Sequence, residues 1–195
     1  MHLRTAMLLA ASVTALPAAA QDVYVGDPAH TMASFATGHL GISWVHGRFN
    51  KTTTAKVIID RAARKGTIDV LIDATSVDTG HEARDKHVRS ADYLDVEKFP
   101  TIAFKSTSAR RTGDGEYQVV GDLTVHGTTK PVTLAVEATP EVKGHFGGYV
   151  IGISASGIIN REDFGMTWNQ ALEAGGVLVG KEIHFQIDAE LDRAE

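Results

Sequence analysis

The chain has 195 residues, 19 of them basic and 24 acidic, for a net charge of −5, and it contains no cysteine. The acidic balance argues against nucleic acid as a partner and against adsorption to anionic headgroups through bulk charge. Without cysteine there is no disulfide, no thiol nucleophile and no lipid anchor through an N-terminal cysteine, and a chain of this size can build its core unaided.

Residues 1–20 read as a cleavable leader. Arg4 opens it, Ala6 to Leu16 is an apolar run, and Ala18-Ala19-Ala20 gives the small-residue pattern a signal peptidase reads. The run is shorter than the roughly 20 apolar residues of a membrane span. Cleavage before Gln21 is the expectation. It leaves one domain, 21–195, and places it in the periplasm. Loss of Arg4 makes the balance more negative by one.

Beyond the leader the dominant rhythm is period two, the mark of strands with one buried face. An irregular or short helical turn is expected at 37–41. Ala55, Val57 and Ile59 then alternate with Lys56, Ile58 and Asp60. After the Arg64-Lys65-Gly66 turn, Ile68, Val70, Ile72 and Ala74 share a face. His81 to Lys98 is too densely charged for a buried strand and reads as short helices plus loop. Pro100 pushes Phe99 into an extended conformation, which restarts the sheet at Thr101. Later runs place together Leu123 and Val125, then Val132, Leu134 and Val136. Tyr149, Ile151, Ile153 and Ala155 form the next such set, and Ile183, Phe185 and Ile187 the last. Thr112-Gly113-Asp114-Gly115, Gly127-Thr128-Thr129 and Lys143-Gly144 supply turns between them. The result is an all-β, antiparallel domain of about eight strands, the size at which a closed barrel holds one small ligand.

Three segments carry a family resemblance: TSVDTGHEARDKHVRSADYLDVEKFPTIAF (75–104), GDLTVHGTTKPV (121–132) and INREDFG (159–165), with Val179-Gly180-Lys181-Glu182-Ile183 downstream. The chain resembles the YceI-like family of polyisoprenoid-binding proteins over nearly all of 21–195. That resemblance implies a lipocalin-like barrel around a long apolar molecule, such as a polyprenyl (pyro)phosphate or the tail of an isoprenoid quinone. It also implies a stress-linked role, a possible homodimer and, in some relatives, a membrane b-type cytochrome as partner.

Period two alone does not separate a filled barrel from a hollow one. The residues expected on the inner wall are Phe35, Ile42, Trp44, Phe49, Val57 and Ile59 early in the chain. Ile68, Val70, Ile72, Ile102 and Phe104 follow, then Leu123, Val125, Leu134, Ile151, Ile153, Ile183 and Phe185. Branched aliphatic walls with few polar groups suit an isoprenoid or acyl chain better than a sugar or nucleotide. Fatty acids and their amides remain an alternative, because an aliphatic tube reads branching weakly.

At the expected mouth, Arg84, Lys86, His87, Arg89 and Arg161 are candidates for a polar or phosphorylated headgroup, since arginine matches phosphate geometry. The competing reading is structural. Asp78, Arg84, Asp85 and Arg89 pair with one another, and Asn160 and Asp163 lock a turn. No catalytic residue, cofactor or metal ligand is expected. His81-Glu82 starts a zinc-protease pattern, but Asp85 stands where the second histidine belongs. GGVLVGK (175–181) continues into Glu182 and a strand, not Ser/Thr and a helix. An enzyme acting on bound lipid through Arg84, Asp85 and His87 is the rival reading.

Overall fold

The computed structural model describes residues 21–145, 147–173 and 175–194. The proposed leader, 1–20, lies outside them. Eleven strands run in chain order: β1 Asp22–His39, β2 Ser43–Phe49, β3 Thr52–Asp60, β4 Lys65–Asp73, β5 Val77–Asp78, β6 Thr101–Arg111, β7 Glu116–Val125, β8 Thr128–Ala138, β9 Val142–Lys143, β10 Tyr149–Asn160 and β11 Val179–Arg193. One helix, α1 Glu82–Arg89, and two 3-10 turns, Ala74–Ser76 and Arg161–Phe164, complete the elements among the described residues.

The neighbours run β1-β3-β4-β6-β7-β8-β10-β11, and β11 returns to β1, so eight antiparallel strands close a barrel. The long β1 is shared on one edge. Asp22 to Val25 pair with β3, whereas Ala33 to His39 pair with β2. Its other edge pairs with β11 from Tyr24↔Arg193 to His39↔Val179. No edge is left open between first and last strands, which is how a barrel removes the aggregation liability of a sheet.

Local sequence explains the joints. His126 and Gly127 both take positive φ (50° and 70°), the geometry that a two-residue hairpin requires between β7 and β8. The sheet does restart at Thr101 after Pro100. The turn expected at 37–41 is displaced. Thr37 to His39 continue β1 because both edges are paired there, Thr37 with Val45 and with Ile183. The reversal falls at Leu40 to Ile42, with Leu40 and Gly41 at positive φ.

The barrel interior divides into two. At the end where β1 begins, Tyr24 is fully buried among Val57, Ile151, Ala189 and Leu191. Its hydroxyl donates to Glu141. Arg61 and Arg193 both bind the buried Asp22 carboxylate and flank Glu141 at 3.8 and 3.6 Å. This network ties the first strand to the last and plugs that end. Ile68 and Ile153 pack on both this cluster and the larger one above it.

Asp22→Ala removes the acceptor that both arginines share. The partly exposed guanidinium groups are free to rehydrate, so the expected loss is about 1–3 kcal/mol by urea unfolding. An unchanged midpoint would show that closure is carried by the backbone ladder alone.

Candidate functional site

Above the Tyr24 plug the barrel is hollow. A cavity of about 290 Å³ is walled by Val70, Ile72, Phe104, Leu123, Val125, Leu134 and Ile187, among others. The vacancy has a geometric cause. Three phenyl rings lie across glycines of adjacent strands instead of pointing along the axis. A Cβ on Gly47 would sit 2.4 Å from Phe35 Cζ, one on Gly121 2.4 Å from Phe104 Cζ, and one on Gly157 2.7 Å from Phe185 Cζ. Each ring covers a gap in the neighbouring strand, and the space it would otherwise occupy stays open.

The expected wall residues sort into three groups. Phe35, Phe49, Val70, Ile72, Ile102, Phe104, Leu123, Val125, Leu134, Ile183 and Phe185 line the cavity. Val57, Ile59 and Ile151 face inward but belong to the filled end around Tyr24, while Ile68 and Ile153 lie at the boundary. Ile42 and Trp44 face solvent, 83% and 53% exposed. Phe49 and Val45 point in, and side chains alternate along a strand, so Trp44 must point out. It rests edge-on against His184, ring centroids 4.9 Å apart. Ile42 sits in the turn beyond β1.

Alternation continued along the strands reaches Ile159 and Ile187, two further wall residues. Tyr93, Leu94, Met166 and Trp168 also line the cavity but come from irregular segments, where no period marks them.

The charged segment lies over the open end and is held mainly by backbone groups. The His81 ring accepts the Arg84 N–H at 3.3 Å as the helix cap. Thr79 donates its N–H and hydroxyl to Asp85, at 2.8 and 2.5 Å. Arg84 grips the Thr79 hydroxyl and carbonyl at 2.8 and 2.7 Å. Arg89 donates to the Thr75 and Val77 carbonyls at 2.9 and 2.7 Å. Asp78 instead faces Asn50 and Arg48, and its carboxyl is held below 3.8, first by the Gly80 N–H and then by Asn50. The mutual ion pairing expected among Asp78, Arg84, Asp85 and Arg89 is therefore replaced by clamps on carbonyls and hydroxyls. Lys86 is exposed on α1 and, like Arg89, lies outside the cavity lining.

Arg84, His87 and Arg161 do reach the cavity. His87 pairs with Asp92 at 2.8 Å and stands edge-on to Trp168 and Tyr93, at 4.6 and 5.1 Å. Asp85 and His87 thus have separate partners and form no acid–base pair. Arg161 is only 1% exposed. Its Nε donates to the Gly180 carbonyl at 3.0 Å, one terminal nitrogen donates to the Met166 carbonyl, and the guanidinium lies 5.8 Å from the Tyr93 ring centroid. The other terminal nitrogen, Nη2, is buried and has no hydrogen-bond partner among the described residues. Burial raises the Tyr93 phenol above 10.0, against the opposing pull of the Arg161 charge. The adjoining turn is fixed by Asn160, which accepts the Glu162 N–H at 3.0 Å, whereas Asp163 is exposed.

The sequence blocks meet at this end. His126 donates to the Phe164 carbonyl at 3.0 Å and packs edge-on against Phe99 at 5.1 Å. A YceI-like domain matches residues 24–191. The chain belongs to the YceI-like family. A UPF0312 protein of Yersinia pestis is 41% identical over 138 residues, 71% of either chain. BcnA of Burkholderia cenocepacia superposes with a TM-score of 0.72 at 22% identity, covering 85% of this chain and 98% of that one. A polyisoprenoid-binding domain from Saccharophagus degradans, implicated in plant cell wall breakdown, superposes with a TM-score of 0.60 at 14% identity, covering 88% and 98%. These last two likenesses establish the shared barrel.

Gly47→Ala tests how the hollow is kept. The three atoms nearest the added methyl all belong to the Phe35 ring, so the ring must swing into the cavity. Expected are a stability loss of about 1–3 kcal/mol, as for overpacking, and a marked fall in lipid recovered with the protein. Unaltered lipid content would show that the ring does not set the free space.

Proposed function

We propose that this protein is a periplasmic carrier that holds the tail of a long apolar amphiphile inside the upper half of its barrel. The observation that carries the reading is the mainly apolar cavity of about 290 Å³ within a closed eight-stranded wall. Membership of the YceI-like family supports it, and the Saccharophagus degradans neighbour is described as a polyisoprenoid-binding domain. The ligand class is an isoprenoid chain or an isoprenoid quinone tail, with fatty acids and amides as the alternative occupants. Residues 1–20, with their leader-like pattern, support the compartment. A second copy of the chain or a membrane b-type cytochrome as partner rests on the family resemblance.

The energetics favour carriage over storage. Each buried methylene gains about 0.8 kcal/mol against water. Over a long tail that sum passes the ceiling of about 18–21 kcal/mol for any non-covalent complex, so water is the wrong reference. The competitor is the bilayer, which dissolves the same tail nearly as well. A greasy pocket therefore exchanges its lipid with membranes instead of trapping it. Binding rather than turnover is favoured because Arg84, Asp85 and His87 are each committed to separate structural contacts.

Organic extraction of natively purified protein, without detergent, followed by mass spectrometry is expected to release an isoprenoid or long-chain lipid. Val70→Trp places an indole in the cavity and is expected to remove that lipid while costing less than about 1 kcal/mol of stability, short of the 1–3 typical of overpacking. An empty extract from the parent protein would overturn the carrier reading, and a strongly destabilised Val70→Trp would show a filled interior.

A further inference from the structure

We propose that Arg161 is the docking point for the head of the bound lipid, and that this head is a compact hydrogen-bond acceptor, a carbonyl or carboxylate, in place of a diphosphate or a bare hydrocarbon end. The inference rests on the carrier reading and narrows it. Arg161 is 1% exposed, yet a guanidinium stays charged at any physiological pH. Two of its nitrogens bind the Gly180 and Met166 carbonyls, which fix its plane. Nη2 is left buried without a partner among the described residues, on a side chain that lines the cavity. A buried N–H with nothing to donate to is costly, and one on a cation more so. Chemistry calls for an acceptor arriving from the cavity.

The surroundings limit what that acceptor can be. Tyr93, Trp168 and His87 form an edge-packed aromatic group on the cavity side, with Tyr93 and Trp168 5.7 Å apart. They make the approach largely aromatic. A diphosphate needs several donors and more than one positive charge to leave water. The other cations nearby are already engaged. Arg84 is bound to Thr79, His87 to Asp92, and Lys181 to Glu162 at 2.9 Å. The unpaired Nη2, with its two N–H bonds, suits one or two oxygens. A carbonyl on a quinone or amide and a singly charged carboxylate both meet that description.

The test holds the tail constant and varies the head. Hexadecanoic acid, hexadecanamide, hexadecane and hexadecyl diphosphate are presented from cyclodextrin to the Trp44→Phe protein, in which Trp168, beside the site, is the one remaining tryptophan. Its fluorescence gives the affinities. The acid and the amide are expected to bind about tenfold to a hundredfold more tightly than hexadecane, the worth of a hydrogen bond to a charged group, and more tightly than the diphosphate. Arg161→Met is expected to erase the preference over hexadecane. Equal affinities for acid and hexadecane, tightest binding by the diphosphate, or an unchanged preference in Arg161→Met would each overturn the assignment while leaving an apolar carrier intact. Failure of every probe to bind overturns both readings. Should Arg161→Met not fold, the head series on the Trp44→Phe protein decides alone.

Discussion

Closure of the sheet between β1 and β11 is the constraint on which the interior depends. The two strands pair over nearly their whole lengths, from Tyr24 opposite Arg193 to His39 opposite Val179. Once they meet, every second side chain of eight strands is committed to an enclosed space, and strand number fixes how wide that space is. What remains variable is how the inward residues occupy it. This chain occupies the two ends of one tube differently. Tyr24 projects into the interior at the plugged end, and its hydroxyl is satisfied by Glu141. At the other end the large rings are turned against glycines.

That contrast gives the hollow a physical basis. Empty apolar volume is costly in an ordinary core, because lining atoms lose contacts that nothing replaces. Here Phe35, Phe104 and Phe185 recover contact with the wall itself, over Gly47, Gly121 and Gly157, so the rings are packed even while the axis stays open. Free volume within a mainly apolar compartment that carries a few polar groups is the signature of a ligand site. The Tyr24 plug then limits how far a tail can run.

Much of this was legible from the chain. Alternation located six of the eight barrel strands, β3, β4, β7, β8, β10 and β11, the Gly127-Thr128-Thr129 signal marked a hairpin whose turn residues are His126 and Gly127, and Pro100 marked the restart at β6. Eleven of the expected wall residues do line the cavity. Two kinds of information were missing. Position along the barrel axis has no periodic signature, so Val57 and Ile151 looked equivalent to Val70 and Leu134 although they fill the opposite end. Residues from irregular segments, Tyr93, Met166 and Trp168, reach the cavity only because the loops fold over its mouth. One feature was present but outweighed. Trp44 and Phe49 stand five residues apart on one strand and so point to opposite faces, and aromatic character alone made both look interior.

The charged cluster shows why density of charge is a poor guide to function. Arg84 and Arg89 drew attention because they stand close together in sequence, yet each is occupied in pinning a backbone carbonyl. Arg161 shares its turn with Glu162 and Asp163 and is the cation that burial leaves with an unpaired donor among the described residues. A solvated arginine gains little by meeting a ligand, since it must first give up water. A desolvated one has already lost that hydration on folding, and every acceptor it then finds is net gain. Function in such a pocket is therefore expected at the desolvated cation, where folding leaves a donor without a partner.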